Sequence, residues 1–398
     1  MRKNPRTDID RERAIGIVME LLGVPGVSCE ERDVARAIVR LLRRHGLPRR
    51  TVTFDTAHKK SPYGGNCGNL IIKVPGTIRG PGRLLIAHMD TVPGCREARP
   101  VRRRTHITSA RKGTGVGADN RSGCGALVTA LVEILERKLA HPPLTLLFTV
   151  QEEIGLIGAR HVDTRLLGAP RLAFNYDGGP PDCVEIGATG GYHLDIEVSG
   201  IPAHAGGQPE QGVSAAMIAA LAMTDLRKHG WFGLVMKRGV RGTSNIGTLD
   251  GGEATNVVMD RLVLSGECRS FSVSLRNRIA GAYRKAFERA AHRVVSADGK
   301  RGSIRFRCTK KYEAFKLPKS SPSVNEVIRV LHALRMKPTL EYSNGGLDAN
   351  LLAEHGIHAA TLGAGTLGAH TAAEKLILKQ YIDGCRVALG LATGPRLG

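Results

Sequence analysis

Four short, largely apolar runs restrict the fold more than any other feature: Leu70 to Val74, Leu84 to Ala87, Leu144 to Val150 and Leu172 to Phe174. Runs of this length and composition read as buried strands. Helical spacing falls around and between them. Ala126, Leu127, Ala130, Leu131, Ile134 and Leu135 make one face of a helix after "GADNRSGCG". Upstream, Asp10 to Leu22 has helical spacing, and "SCEE" at Ser28 to Glu31 offers a capping box for a second helix, "RDVARAIVRLLRRHG", closed by Gly46. Strands alternating with helices indicate an α/β sheet domain.

From Gly190 the texture changes. "YHLDIEVSG" alternates, "VSAAMIAALAMTDLRKHG" is helical, "SNIGTLDGGEATNVVMDRLVLSGECRS" suggests paired strands, and Val273 to Val295 is helical again. A strand in "SIRFRCTKKYEAF" follows, and Ser323 to Leu334 resumes the helical pattern. At 398 residues the chain exceeds the length of about 250 to 300 at which single cores stop growing. We therefore expect a discontinuous domain, residues 1–189 and 313–398, interrupted by an α+β domain over residues 190–312.

The net charge is +22, yet its short runs (Arg43-Arg44, Arg102 to Arg104, Lys310-Lys311) are not interleaved with stacking aromatics. A dispersed, solvated basic surface is expected, with nucleic acid an unfavoured partner. The eight cysteines form no CxxC pair, which points to reduced thiols. The amino-terminal stretch has charges among its apolar positions and so lacks a signal-peptide core, and no run approaches the roughly 20 apolar residues of a membrane span. A soluble, cytoplasmic protein is the expectation.

Polar residues recur at the carboxyl ends of the apolar runs, where open α/β sheets place their ligands. His88 ends "LLIAH", with Asp90 two residues on and therefore facing the same way. That pair reads equally as a metal site or as a core histidine held by a carboxylate. Asp119 sits in "GTGVGADNRSG", Glu152 and Glu153 end "LTLLFTVQEE", Asp177 ends "LAFNYDGG", and His370 lies in "GAGTLGAHTAAEK". Adjacent glutamates face opposite sides of a strand, so one suits metal binding and the other proton transfer.

The ordered pieces "AHMDTVPG", "GADNRSG", "QEEIGLIGA", "NYDGG", "PAHAG", "GGEATNVV" with "ECRS", "GGLDAN" and "GAHTAAE" resemble the cocatalytic zinc peptidases of the peptidase T, glutamate carboxypeptidase and succinyl-diaminopimelate desuccinylase family. The resemblance covers nearly the whole chain. It implies a catalytic domain with a mixed sheet flanked by helices and an inserted lid and dimerisation domain. It also implies two zinc ions per subunit, replaceable by cobalt or manganese. Asp119 then bridges the ions, with His88 and Asp177 on one and Glu153 and His370 on the other. Asp90 orients His88, a water bridging the metals is the nucleophile, and Glu152 is its general base. The Asp119-Asn120 peptide is expected to be cis. His204 is expected to cross a homodimer interface to the scissile carbonyl, while Asn256 and Arg269 contact substrate away from the metals. Gly345, Gly346 and Asp348 in "SNGGLDAN" are expected to shape the substrate pocket.

Within the family, Asp177 where carboxypeptidases and aminoacylases more often carry glutamate leans towards aminopeptidase action on short peptides. An N-acyl amino acid amidohydrolase or a carboxypeptidase is the alternative with the same chemistry. A basic nucleic-acid-binding protein on the same fold is the alternative of another class. No GxSxG elbow supports a serine hydrolase, and Cys124 lacks an evident histidine partner.

Overall fold

The computed structural model describes residues 7–394; the first six residues of the amino-terminal stretch and residues 395–398 lie outside it. The chain divides into two compact units. One comprises Met1–Gly187, Lys316–Ser343 and Leu347–Gly398, the other Ala188–Phe315 with Asn344–Gly346.

The first unit is built on a nine-stranded mixed sheet. Its centre runs Leu70–Val74, Leu144–Thr149, Arg83–His88, Leu172–Gly178, Ala359–Gly363. Arg83–His88 is parallel to both Leu144–Thr149 and Leu172–Gly178, and Ala359–Gly363 is parallel to Leu172–Gly178. Four strands therefore end at one edge, and the chain leaves that edge at His88, Thr149, Gly178 and Gly363. The strands Arg83–His88 and Leu144–Thr149 are buried throughout, as parallel strands covered by helices on both faces must be.

Helices Arg11–Leu22, Ala118–Arg137 and Leu378–Thr393 pack together, and Tyr381 Oη donates to Ala14 O at 3.1 Å. Asp10 caps the first of them through Arg13 N at 3.0 Å. The helix Arg32–Arg44 ends in a Schellman motif: Gly46, at φ 90°, donates to Arg43 O, and Leu47 donates to Leu42 O, both at 3.1 Å. Its start differs from the capping box expected at Ser28 to Glu31. Glu31 makes no side-chain cap. Both side chains serve contacts distant in sequence, described below.

A second, four-stranded sheet, order Thr366–Leu367, Lys375–Ile377, His106–Ser109, Pro100–Arg102, brackets the loop carrying His370. It also accounts for the arginine run. Arg102 pairs with both carboxylate oxygens of Glu12 at 2.6 and 2.9 Å, and Arg103 and Arg104 lie in the connecting turn.

The second unit is a five-stranded antiparallel sheet, order Gly233–Lys237, Val240–Gly251, Arg261–Ser270, Gly190–Ser199, Ser303–Tyr312, with helices Ala215–Lys228 and Val273–Arg293 against it. Leu194, Ile196 and Val198 alternate inward onto Ile218, Ala222, Ile279, Tyr283 and Phe287. Residues of opposite parity on the same strand, Asp195 and Glu197, pair with Arg261, Arg305 and Arg307. Part of the positive charge is thus matched locally on a solvated face. Among the described residues no helix is long and apolar enough to cross a membrane.

Candidate metal centre

Because the parallel strands end together, residues far apart in sequence meet at one edge. His88 Nε2 lies 3.1 Å from Asp119 Oδ1 and 3.4 Å from Asp177 Oδ1. His370 Nε2 lies 3.3 Å from Asp119 Oδ2 and 2.9 Å from Glu153 Oε2. The two oxygens of Asp119 therefore face two different histidine and carboxylate pairs. Tetrahedral zinc with ligand atoms at about 2.0–2.1 Å holds those atoms about 3.3 Å apart. The spacing of the donor atoms, and their chemistry of imidazole and carboxylate, fit two such cations sharing Asp119. His88, Asp119 and Glu153 alone already bring three ligand atoms within 4.8 Å of one another.

Asp90 is fully buried and organises the strand ends. His88 Nδ1 sits 3.4 Å from Asp90 Oδ1 and 3.0 Å from Asp90 O. The same carboxylate accepts from Glu152 N at 3.0 Å, Glu153 N at 3.2 Å and Ser28 Oγ at 2.6 Å. A contact on Nδ1 leaves Nε2 aimed at the cation position. Burial alone would raise the Asp90 pKa, but His88, Ser28 and the Glu152 amide hold it below the ordinary value.

Several contributors carry no local sequence signal. Glu374, 1 % exposed, accepts from Gly117 N at 2.6 Å and Asp119 N at 2.9 Å, fixing the turn that presents Asp119. The Asp119-Asn120 peptide is cis. Glu31 accepts from Gln151 N at 3.0 Å and Cys29 N at 2.9 Å. Gln151 occupies the left-handed region at φ 54°, a conformation costing about 1–3 kcal/mol in a non-glycine residue. Two residues past the end of the strand Leu144–Thr149, its side chain is held by Ser61 Oγ and Gly64 O. Arg121, buried, donates to Val24 O and Gly26 O and so braces the loop carrying Ser28.

Glu152 is buried, and its carboxyl has charges rather than donors for neighbours. Burial, then Asp177, Asp348 and Glu153, push its pKa well above the ordinary value, with His88 opposing.

Asp348 lies beside these groups, and the other expected residues belong to the second unit. Asp348 is 1 % exposed; one oxygen accepts from Thr149 Oγ1 at the end of the central strand, and Oδ1 is buried with no hydrogen-bond partner among the described residues. Gly346 lies in the second unit, where an added Cβ would come 2.3 Å from the Tyr312 ring. Gly345 beside it is half-buried. The Arg269 fork is taken up by Glu267, at 2.8 Å for both Nε and Nη2, with Nη1 3.2 Å from Asn344 O. Asn256 is exposed, and its carbonyl accepts from Ala205 N at 2.9 Å. His204 is exposed, with Nδ1 accepting from Gly206 N at 3.1 Å and Gly207 N at 2.9 Å, which leaves Nε2 to carry the proton.

Charge repulsion at this edge has a measurable consequence. Burial raises the carboxyls of Glu31, Glu185 and Asp348 to about 7, and His370, hydrogen-bonded to Asp119 and Glu153, is raised to about 10. Between pH 5 and 8 the folded, metal-free protein thus holds more protons than the unfolded chain, so its stability must fall as pH rises. The carboxyl contributions disappear between their ordinary values, 4.5 or 3.8, and about 7; that of His370 is complete below 6.5 and disappears towards 10. We expect the melting temperature of chelator-treated protein to drop across pH 5 to 8, and added divalent metal to flatten the slope. A melting temperature that rises with pH after metal removal would contradict these assignments.

Residues 84–393 match peptidase family M20/M25/M40. A tripeptidase from Staphylococcus aureus superposes with a TM-score of 0.85 at 27% identity, covering 96% of this chain and 98% of that one. Aminopeptidase PepT from Bacillus cereus superposes with a TM-score of 0.79 at 27% identity, with the same coverage of 96% and 98%. The uncharacterized protein YqjE of Bacillus subtilis is 27% identical over 387 residues, 96% of this chain and 98% of its own length.

Proposed function

The chain belongs to peptidase family M20/M25/M40, and on that premise we propose that it removes the amino-terminal residue from short peptides at a two-zinc centre. The observation that carries the reading is the Asp119 carboxylate, one oxygen on the His88 side and one on the His370 side. His88 and Asp177 would hold one ion, Glu153 and His370 the other, and Asp119 both. Zinc there, or cobalt or manganese in its place, would polarise the scissile carbonyl and acidify the attacking water. Glu152 would take the proton from that water and pass it to the leaving amine, a task suited to a carboxyl that burial raises well above its ordinary value. His204 presents an Nε2 proton suited to a substrate carbonyl, and we assign it to the site of a second copy.

The tripeptidase and aminopeptidase likenesses, each over 96% of the chain, favour release from the amino end. Assays with free tripeptides, dipeptides, acetylated amino acids and amino-blocked peptides test the choice. Free tripeptides should turn over fastest; faster cleavage of acetylated amino acids, or release from the carboxyl end, would replace the aminopeptidase reading with an amidohydrolase or a carboxypeptidase.

We further propose a cytoplasmic homodimer formed through the second unit. All eight cysteines are free, which suits a reducing compartment. In the second unit Met217 and Leu221 are exposed on one helix, and Leu234 and Met236 are exposed on Gly233–Lys237, an edge strand of its sheet. Apolar side chains beside an open edge suit burial against a second copy. Light scattering should return twice the chain mass of 42.7 kDa, and Leu221→Arg should return it to one. A wild-type monomer would remove this proposal.

A further inference from the structure

The second unit contains a cavity of about 660 Å³ that the peptidase reading does not use. It lies between the end of the helix Ala215–Lys228 and the outer face of Val273–Arg293. Arg278, Lys285, Arg289 and Arg293 stand 7, 4 and 4 residues apart on the latter helix, so its period brings all four to one side. Gly281 and Ala282 add no bulk between them, which leaves the space open. Trp231, the only tryptophan of the chain, forms the wall. Its position is fixed: Trp231 N donates to Leu226 O at 2.8 Å, Ser244 Oγ donates to Trp231 O at 2.6 Å, and Lys237 Nζ lies 4.4 Å from the ring centroid.

The charge in the cavity is unbalanced. Asp225 is its one acidic lining residue, and Arg289 Nη2 already pairs with it at 2.5 Å. His229 also approaches Asp225, at 3.1 Å. Arg278, Lys285 and Arg293 make no ion pair among the described residues, and the Arg278 guanidinium lies 5.5 Å from the Trp231 centroid. Three cations around one concavity repel one another, and a ligand that brings several negative charges on one small group relieves all three at once. A guanidinium fork matches phosphate oxygens, and lysine adds a mobile point charge.

We propose that this cavity binds a di- or triphosphate group, held by Arg278, Lys285 and Arg293 beside Trp231. The phosphate chain is the recognised chemistry, whether inorganic or carried by a nucleotide.

The single tryptophan makes the test direct. Intrinsic fluorescence of the metal-loaded protein is followed while pyrophosphate, triphosphate or adenosine triphosphate is added at constant ionic strength, with sodium chloride as the charge control and a chelator as the control for metal removal. Isothermal titration of the same anions supplies a signal independent of tryptophan. Saturable binding is expected for the phosphates and none for chloride or chelator. The Lys285→Ala, Arg293→Ala double variant should bind at least tenfold more weakly while its peptide hydrolysis stays at the wild-type rate. Equal affinity for the inorganic and nucleotide forms identifies the phosphate chain as the whole determinant, and tighter nucleotide binding adds a contact to the base or sugar. Absence of saturation by both methods, or equal binding by wild type and double variant, overturns the proposal.

Discussion

Replacing Glu152 with glutamine is expected to lower kcat by about two to four orders of magnitude, corresponding to about 3–5 kcal/mol of transition-state stabilisation, while two metal ions per chain are retained. The substitution keeps the shape of the side chain and removes its capacity to accept and return a proton. It also removes a buried negative charge whose neighbours are Asp177, Asp348 and Glu153, so folding should be unharmed or slightly favoured. Neither Asp90 bond to the 152–153 backbone depends on the Glu152 side chain, so Glu153 stays in place. Parallel measurements of metal content, melting temperature and kcat separate the outcomes. Full activity in the variant would take proton transfer away from Glu152; loss of metal would make it a ligand.

Asp119→Asn is the second large expected effect, and its signature differs. The amide nitrogen of asparagine carries protons where one carboxylate oxygen stood, so one cation position loses a donor and the other keeps only a neutral one. The charge that offsets repulsion between two cations is lost as well. The backbone bond from residue 119 to Glu374 survives, so the turn should hold. At limiting metal we expect fewer than one ion per chain after dialysis and a fall in kcat/KM of about three orders of magnitude or more. Excess zinc should restore part of that activity, which it should not do for Glu152→Gln. A variant that keeps two ions through dialysis would show that Asp119 does not bridge them.

Glu152 is legible in sequence because it follows an apolar run, whereas the role of Asp119, in a glycine-rich loop, comes only from the family resemblance. His88, the glutamate pair and Asp177 each end an apolar run, and parallel strands bring such ends to one edge. The sheet centre follows from its continuous apolar runs, and the longer helices and the antiparallel second unit from periods of 3.6 and 2. What escaped the sequence is the set of contacts that hold these residues in place. Ser28 to Glu31 has the spacing of a capping box, yet Ser28 reaches Asp90 and Glu31 reaches Gln151, pairings that span 62 and 120 residues. Glu374 reaches Asp119 across 255 residues. No local period encodes such contacts, and only the folded edge brings them together. Asp348 likewise has a partner that no local period encodes, Thr149, whereas Arg269 pairs with Glu267 on its own strand. The hairpin that absorbs Arg102 was missed because its strands are three and four residues long, too short for alternation to register.

Anomalous diffraction at the zinc edge from metal-loaded crystals tests the central claim most directly. Two peaks about 3.5–4 Å apart are expected, one against His88 and Asp177, the other against Glu153 and His370, with Asp119 between them. A single peak, or a pair that Asp119 does not join, would contradict it.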